Sequence, residues 1–484
     1  MKRFSAFLAI VFLTTCVFMF GGCKKDAKAN LSYQINVSLN GNVLSGKEMV
    51  SFTNTTDNAF SALKFNLFGN AFRKDAKFRP IAVQYENRAY YNGLSYGQMN
   101  VSSVTDKDGA LEFSVCGQDQ NILQVQLRDE LYPNETAQVE IEFSLTLANV
   151  ISRTGINEST INLGNFYPVL CGIEDNSFYE CVYYSNGDPF FSDVADYVVE
   201  IELDGDYVVA TGGVKLGEKM NANRKTINYQ QENARSFCMI LSKKFKVLQQ
   251  TACDVTINYY YYDDQSPESS ITMAKQSIEL FTNLFGKYPY QTYSVVETPF
   301  MQGGMEYAGV VMISDNLEPT AFREVIVHET AHQWWQSVVG NNEIEYGFLD
   351  EGLCEYSVVL FYENHPEYDM SREKLIKSSE LTYKTFCSVS DKLFGGVNTV
   401  MLRPLGEFKS EYEYVNMAYV KPCIMYDYLR NTIGEQTFFK GLKRYYKEYA
   451  LKNAKPSDLV GAFEKVGADS NGFFESFFNG KAVI

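Results

Sequence analysis

Two histidines four residues apart, His328 and His332, with Glu329 beside the first, are the most informative feature of the sequence. On a helix, positions four apart lie on one face, so both imidazoles can bind one metal ion. Glu351 follows in the segment LDEGLCEY and supplies a carboxylate that can complete a set of three ligands. Three protein ligands leave the fourth position of Zn²⁺ open to water, which indicates a catalytic rather than a structural site.

The alternative is a buried amphipathic helix whose two histidines are satisfied by ordinary hydrogen bonds. The chain contains 3 histidines in 484 residues, so two of them at metal-binding spacing beside a glutamate favour the metal site over chance. The third, His365, precedes Pro366 in the polar segment ENHPE. That setting is typical of a solvated loop.

Two helices must position these residues. The apolar pattern from Pro319 to about Val339 predicts the first helix, which a Gly-Asn-Asn segment ends. A second helix is predicted from about Asp350, with Glu351 in its first turn and Glu355 on the same face one turn later. Glu355 is either a partner that orients a ligand histidine or a solvated helix charge.

Three motifs together resemble the gluzincin zinc aminopeptidases of the alanyl aminopeptidase and leukotriene hydrolase type. The first is HETAH at 328–332 with Glu351 after eighteen intervening residues. The second, QGGMEY at 302–307, resembles the GAMEN segment of that family. The third, MAYVKP at 417–422, resembles the segment that carries the catalytic tyrosine of the family. The resemblance extends over most of the chain after the leader and is weak in the first half.

The resemblance implies one Zn²⁺ bound by His328, His332 and Glu351. Glu329 is then the general base, which takes a proton from zinc-bound water and passes it toward the leaving amine. Tyr419 would donate a hydrogen bond to the oxyanion. Because the chain has 34 tyrosines, only the MAYVKP context singles this one out.

The GAMEN-like segment implies a second function, recognition of the peptide N-terminus. Glu306 would pair with the free α-ammonium and so restrict cleavage to the N-terminal bond. Gly303, Gly304 and Met305 precede it, and glycine lets a strand edge approach a substrate backbone closely. The alternative is a glycine turn followed by a solvated glutamate.

The sequence departs from the family pattern at three positions near the motifs. Tyr307 stands where Asn is common, Thr330 where Leu is usual, and Cys354 where Ala is usual. None of the three is a ligand, and Cys354 is interpreted as a packed hydrophobic side chain. Many relatives continue as a C-terminal helical domain that caps the active site, whereas this sequence ends at Ile484. We therefore expect a short form with an open site.

Residues 1–22 have the pattern of a lipoprotein-type signal peptide, with a basic start and an apolar stretch from Phe4 to Phe20. Gly22-Cys23 resembles a bacterial lipoprotein cleavage box, which implies that Cys23 is lipidated and that residues 23–30 are a tether. An uncleaved anchor helix or an unlipidated signal is the alternative. Either way, we expect the protein on the bacterial cell surface, outside the cytoplasm.

An α+β, multidomain fold is predicted after the tether. Residues 31–250 contain short alternating strands, such as 139–145 and 197–203, between Asn, Asp and Gly turns, which predicts an all-β sandwich or saddle-like domain. Residues 251–484 are expected to form a thermolysin-like, mostly helical catalytic domain that begins with a strand near 255–261.

The net charge argues against one class of binding partner, and the cysteine content leaves two states of the thiols open. The net charge of −16 argues against a nucleic acid, because phosphate binding requires a basic surface. Among the 10 cysteines, Cys171 and Cys181 are the nearest candidates for a disulfide, and free buried thiols are equally compatible with the sequence.

The sequence therefore predicts a membrane-anchored zinc aminopeptidase that removes residues from peptides with a free N-terminus. One alternative is a zinc endopeptidase with an open cleft in which Glu306 is not used. A second alternative, from a different class, is a catalytically silent surface binding protein of the same fold. The presence of Glu329, Glu306 and Tyr419 together argues against the silent protein, because such a protein requires neither base, amine anchor nor oxyanion donor.

Overall fold

The computed structural model describes residues 29–468 and 471–484. They form an α+β structure with a β-rich first half and a mostly helical second half, as predicted. The leader, Cys23 and most of the tether lie outside these residues. Across the described ranges, no helix has the length and apolar character that a membrane span requires.

The first domain is built almost entirely from strands, with one short helix, α1 (Glu86–Ala89). Its strands are β1 (Leu31–Asn40), β2 (Val43–Thr53), β3 (Phe60–Asn66), β4 (Gln98–Asp106), β5 (Gly109–Ala110), β6 (Phe113–Cys116), β7 (Ile122–Leu131), β8 (Thr136–Thr146), β9 (Thr154–Ile156), β10 (Ile161–Leu163), β11 (Val169–Leu170), β12 (Ile173–Glu174), β13 (Ser177–Phe178), β14 (Ala195–Asp204), β15 (Val208–Thr211), β16 (Val214–Asn221), β17 (Arg224–Ala234) and β18 (Met239–Ser242).

These strands form one large sheet, two four-stranded sheets and the two-stranded sheet β12-β13. The large sheet has eight strands in the order β16-β17-β14-β1-β2-β8-β4-β5, and the four-stranded sheets are β15-β18-β10-β9 and β11-β3-β7-β6. In β1, every second residue from Leu31 to Leu39 is buried, which is the two-residue period of a strand with one face on a core. Tyr33 on β1 stacks on Tyr197 of β14 at a ring distance of 5.0 Å.

The second domain begins with a five-stranded sheet. Its strands are β19 (Lys246–Ala252), β20 (Val255–Tyr261), β21 (Thr292–Thr298), β22 (Gly304–Tyr307) and β23 (Val310–Ser314), and the short pair β24 (Val339–Gly340) and β25 (Lys452–Asn453) lies apart from it. The predicted strand 255–261 is β20. Because β19 pairs with β20, this sheet begins at Lys246.

Ten helices of the described residues follow or surround this sheet. They are α2 (Pro267–Leu284), α3 (Pro319–Ala331), α4 (Glu343–Tyr346), α5 (Phe348–Asn364), α6 (Arg372–Phe394), α7 (Glu411–Val415), α8 (Lys421–Ile433), α9 (Glu435–Tyr449), α10 (Pro456–Glu464) and α11 (Asn471–Phe478). A π-helical segment, Asn416–Val420, joins α7 to α8.

The first predicted helix is shorter than its apolar pattern indicates. α3 ends at Ala331, and residues up to 338 form turns instead of continuing to Val339. Trp334 and Trp335 are buried in these turns against α2, where Trp335 packs on Phe285 at a ring distance of 4.7 Å. Val339 then pairs with β25. Tertiary packing therefore ends the helix where the local pattern alone would continue it.

Candidate active site

α3 and α5 bring the three predicted metal ligands together. His328 Nε2 lies 3.1 Å from His332 Nε2, and each lies 3.2 Å from Glu351 Oε2. Two ligands at about 2.0 to 2.1 Å from a tetrahedral zinc ion lie about 3.3 Å from each other. The triangle of donor atoms therefore has the size that Zn²⁺ requires.

The other ring nitrogen of each histidine is held by the protein. His328 Nδ1 lies 3.3 Å from Glu355 Oε2, and His332 Nδ1 donates to the Trp335 carbonyl at 3.3 Å. These contacts leave both Nε2 atoms for a metal. Glu355 is thus the orienting partner, rather than a solvated charge.

The charges around the triad favour a cation. Burial alone lowers the pKa of His328, but hydrogen bonds to Glu351 and Glu355 outweigh it and raise the pKa to about 10. A position where carboxylates stabilise positive charge on an imidazole also stabilises a metal ion beside a neutral imidazole. The electrostatics and the donor geometry therefore agree on the same ligand set.

Glu329 faces the edge of the sheet. It is 5% exposed, and its Oε2 has no hydrogen-bond partner in the described ranges. A Cβ added at Gly304 would lie 2.6 Å from Glu329 Cδ, so only glycine leaves room for this carboxylate. Burial raises the pKa of Glu329 to about 7. A carboxylate with a free oxygen next to the ligands is well placed to accept a proton.

β22 is the edge strand of the five-stranded sheet and carries the GAMEN-like residues. Gly304 and Glu306 face the cavity, whereas Met305 is 2% exposed and packs into the core on the opposite face. The structure therefore does not support a substrate contact by the Met305 side chain, because neighbouring residues of a strand point to opposite faces. The free edge of β22 leaves room for an extended peptide.

Gln333 fixes this edge strand to α3. Its side-chain nitrogen donates to the Tyr307 carbonyl at 3.1 Å, and its oxygen accepts from Gly309 N–H at 2.8 Å. Both contacts lie at the turn between β22 and β23. Sequence reasoning did not identify Gln333, although it directly follows the HETAH motif, because no spacing rule connects it to the strand.

The first domain adds a carboxylate that sequence reasoning did not identify. Asp188 lies in a loop, and its oxygen, one of Glu306 and one of Glu351 are within 4.8 Å of one another. Arg153 Nη1 donates to Asp188 Oδ1 at 2.8 Å. Glu306 is 4% exposed, and its Oε1 has no hydrogen-bond partner among the described residues. Burial and the neighbouring Asp188 raise the pKa of Glu306 well above its usual range.

Tyr419 reaches the site from the π-helical segment. Its hydroxyl donates to Glu351 Oε1, and its ring stacks on His328 at 5.8 Å. π-Helical turns widen a helix and are frequent at functional sites. The structure thus places the tyrosine predicted from the MAYVKP segment directly beside the metal ligands.

The three predicted ligands line one cavity of about 280 Å³ between the two domains, together with Glu329, Glu306, Asp188 and Tyr419. The first domain contributes Arg153 and the segment 185–188, and the second contributes β22, α3, α5 and the residues around α7. The cavity therefore combines three potential metal ligands, a buried base, a phenol donor and Glu306, whose Oε1 has no partner among the described residues. This set can activate water and bind a small cationic group at the same time.

The three residues that depart from the family pattern each contact other parts of the structure. The Thr330 hydroxyl lies 2.8 Å from the Tyr293 hydroxyl of β21. Cys354 is fully buried, with its sulfur 3.8 Å from the Trp335 carbonyl oxygen, and burial raises the pKa of its thiol. Cys354 is therefore a packed side chain, as predicted. The Tyr307 hydroxyl packs over Gly164 of the first domain.

Two further predictions concern residues outside the cavity. His365 follows α5, and its Nδ1 lies 2.9 Å from Glu367 Oε1, away from the metal ligands. Cys171 and Cys181 are buried free thiols. Of the two alternatives, a disulfide between these cysteines or free buried thiols, the structure therefore shows free buried thiols.

Comparison with known sequences identifies relatives over about half of the chain. Residues 270–477 match the Peptidase family M1 domain. Aminopeptidase M1 of Arabidopsis thaliana is 23% identical over 289 residues, which are 56% of this chain and 32% of that protein. Aminopeptidase N of Streptomyces lividans is 26% identical over 206 residues, which are 40% of this chain and 24% of that protein. The matched region thus spans about a third or less of these relatives.

Comparison with solved structures covers nearly the whole chain. A crystal structure of an M1 zinc metallopeptidase from Deinococcus radiodurans has a TM-score of 0.67 at 16% identity and covers 94% of this chain and 96% of that chain. A mutant form of that enzyme bound to a Tyr-Ser-Ala substrate has a TM-score of 0.66, with coverage of 94% and 95%. At this identity, the likeness shows a shared fold.

Proposed function

We propose that this chain, which belongs to peptidase family M1 through residues 270–477, is a zinc-dependent aminopeptidase that removes N-terminal residues from peptides. The observation that carries the proposal is Glu306, a buried carboxylate beside the three predicted metal ligands, with one oxygen that has no partner among the described residues. Burying a carboxylate without a cation is costly. A substrate ammonium supplies that cation, so binding and orientation of a peptide N-terminus follow from the same contact.

One Zn²⁺ is the family cofactor, and His328, His332 and Glu351 would hold it here. When bound, the metal lowers the pKa of a water ligand and polarises the scissile carbonyl. Glu329 accepts the proton that the water loses and delivers it to the departing amine. The Tyr419 hydroxyl donates a hydrogen bond to the carbonyl oxygen of the substrate as negative charge develops there.

Asp188 strengthens the recognition of the amine. Its carboxylate lies beside Glu306, and Arg153 holds it in place from within the first domain. An ammonium between Asp188 and Glu306 places the first peptide bond of the substrate next to Glu329 and the ligands. The position of the bound substrate, rather than an additional catalytic group, then selects the N-terminal bond for cleavage.

The proposal includes a bacterial cell-surface location, with the chain anchored through a lipid on Cys23. The support is the basic and apolar leader followed by Gly22-Cys23. Growth of producing cells with labelled palmitate tests it. The wild-type protein should take up the label, and the Cys23→Ser variant should take up none.

Acetylation of the substrate tests the aminopeptidase activity. We expect the zinc-loaded protein to hydrolyse alanyl peptides at least about 100-fold faster than the same peptides with acetylated N-termini. Glu306→Gln should remove most of that preference, largely by raising KM for the free peptide. Equal rates on both peptide forms would favour the endopeptidase, and zinc binding without turnover would favour the silent binding protein.

A further inference from the structure

One carboxylate of the cavity, Glu324, has neither a role in the mechanism above nor a partner among the described residues. Glu324 lines the cavity from α3 and has no hydrogen-bond or ion-pair partner in the part of the chain that the structure describes. Six other carboxylates line the cavity, and each of them has either a partner or a catalytic role. Asp188 pairs with Arg153, Glu355 with His328 and Glu411 with Tyr85, while Glu306, Glu329 and Glu351 act in catalysis.

The position of Glu324 on α3 defines which part of a substrate it meets. It precedes His328 by one helical turn and therefore lies on the same face of the helix. Its charged neighbours are His328 and Glu355. Glu306, in contrast, lies within 4.8 Å of Glu329 and His332. The two carboxylates therefore mark different ends of the cavity, one on each side of the metal ligands.

A peptide held by its ammonium at Glu306 must extend past the metal ligands toward Glu324. Its first residue occupies the space between Glu306 and the ligands, and its second residue follows the scissile bond. The second side chain therefore enters the end of the cavity that Glu324 lines. This step rests on the proposed aminopeptidase function, because Glu306 fixes the direction of the peptide.

The walls at this end suit a long side chain with a charged tip. Ala321, Val325 and Val358 line the cavity there together with Glu324 and Glu355. Apolar walls accept the methylene groups of lysine or arginine, and a carboxylate at the end accepts the cationic group. An acidic side chain at the same place would meet two carboxylates of like charge.

We propose that Glu324 is a specificity-determining residue that selects lysine or arginine as the second residue of the peptide substrate. The carboxylate binds the cationic tip, and the residues Ala321, Val325 and Val358 contact the stem. The preference concerns the residue after the scissile bond, so it is independent of the side chain that the enzyme releases.

The test compares kcat/KM for the tripeptides Ala-Lys-Ala, Ala-norleucine-Ala and Ala-Glu-Ala with the purified, zinc-loaded protein. Norleucine matches the lysine stem without its charge. We expect about a ten-fold preference for lysine over norleucine, as for one charge-assisted hydrogen bond at a partly exposed site, and a further loss with glutamate. Glu324→Gln should reduce the lysine preference to about two-fold or less.

Two controls make the result specific. Glu318→Gln removes a carboxylate that is exposed at the start of the same helix, outside the cavity, and should leave the lysine preference unchanged. Glu324→Lys should reverse the order and favour Ala-Glu-Ala.

Equal hydrolysis of the lysine and norleucine peptides by the wild type would overturn the inference while leaving the aminopeptidase function intact. A lysine preference that persists in Glu324→Gln would overturn the role of this residue. Failure of the zinc-loaded wild type to hydrolyse any free-amine peptide would instead overturn the proposed function, and the inference with it.

Discussion

The carboxylates of the site are chemically alike, but their surroundings shift their pKa values in different directions. These surroundings determine the role of each carboxylate. Burial opposes ionisation of Glu351, but His332 and His328 outweigh it and lower its pKa to about 2. Burial raises the pKa of Glu329 and of Glu306 instead. Glu351 is therefore suited to be a permanent ligand, Glu329 to exchange a proton, and Glu306 to receive a cation from the substrate.

Glu329→Gln tests the role of the base at this scale. The amide has nearly the same volume but cannot take a proton, so we expect kcat to fall by about 1000-fold or more. Metal analysis should still find one zinc per chain, because the three ligands are unchanged. Glu318→Gln serves as the matched control with full activity. Near-normal turnover by Glu329→Gln would remove the general-base assignment.

The sequence motifs predict most of the individual residues of the site. His328, His332, Glu351 and Tyr419 were predicted from motifs and meet at one point in the structure. Asp188 was not predicted, because a single aspartate in a loop of the other domain has no spacing that relates it to the zinc motif.

At the scale of elements, the contact between β22 and α3 shapes the site. Gly304 brings the edge strand against Glu329, and Gln333 ties the following turn to the same helix. A strand that is fixed on one side and open on the other can bind an extended substrate backbone. Glycine is required at 304 by this close approach, rather than by an unusual backbone angle.

Gly304→Ala tests this packing. The new methyl group would overlap the Glu329 carboxylate and displace it, so we expect kcat/KM to fall by about 10- to 100-fold. Gly461→Ala, in α10 with open space around its Cα, should leave activity unchanged. Full activity in Gly304→Ala would show that Glu329 or the strand shifts without consequence for the chemistry.

β2 contains a buried acid that is unrelated to the site. Glu48 is 0% exposed between Ile35 of β1 and Ile141 of β8, and both of its carboxylate oxygens have no partner among the described residues. Burial raises its pKa well above the ordinary 4.5. The folded chain therefore holds this proton at pH values where the unfolded chain releases it.

This difference makes stability depend on pH. Because the folded-state pKa lies above the unfolded value, the contribution is complete below about pH 4.5 and declines as the pH rises through the folded-state value. Glu48→Gln should remove the dependence. We expect urea unfolding to show the variant more stable than wild type at pH 8 and nearly equal to it at pH 4. A constant difference at both pH values would contradict this account.

At the scale of the whole molecule, a buried arginine joins the two domains. Arg235 follows β17 of the first domain and donates to the carbonyl oxygens of Gln336 at 2.8 Å and Lys452 at 2.6 Å in the second. Any side chain at Gly340 would collide with it, because an added Cβ would lie 2.6 Å from Arg235 Nη1. The arginine thus helps to set the position of Asp188 relative to Glu306.

Arg235→Met tests this connection. Loss of the guanidinium leaves buried carbonyl groups without donors, so we expect a loss of about 3 to 5 kcal/mol in unfolding free energy. Arg224→Met is the control, since Arg224 makes a partly exposed ion pair with Glu202 within the first domain and should cost about 1 kcal/mol or less. Equal effects of the two substitutions would show that Arg235 has no special role between the domains.

The amino-acid sequence by itself determined the metal chemistry and the broad division into a β domain and a helical domain. Helices and strands have fixed periods, so HETAH places two imidazoles on one face and alternating residues place one face on a core. Only the tertiary structure decided where α3 ends, which face Met305 takes, and which carboxylates share the cavity. Asp188 belongs to the first domain, whereas Glu306 and Glu324 belong to the second, so the three line one cavity only when the domains pack. The period of a helix or strand cannot predict this arrangement.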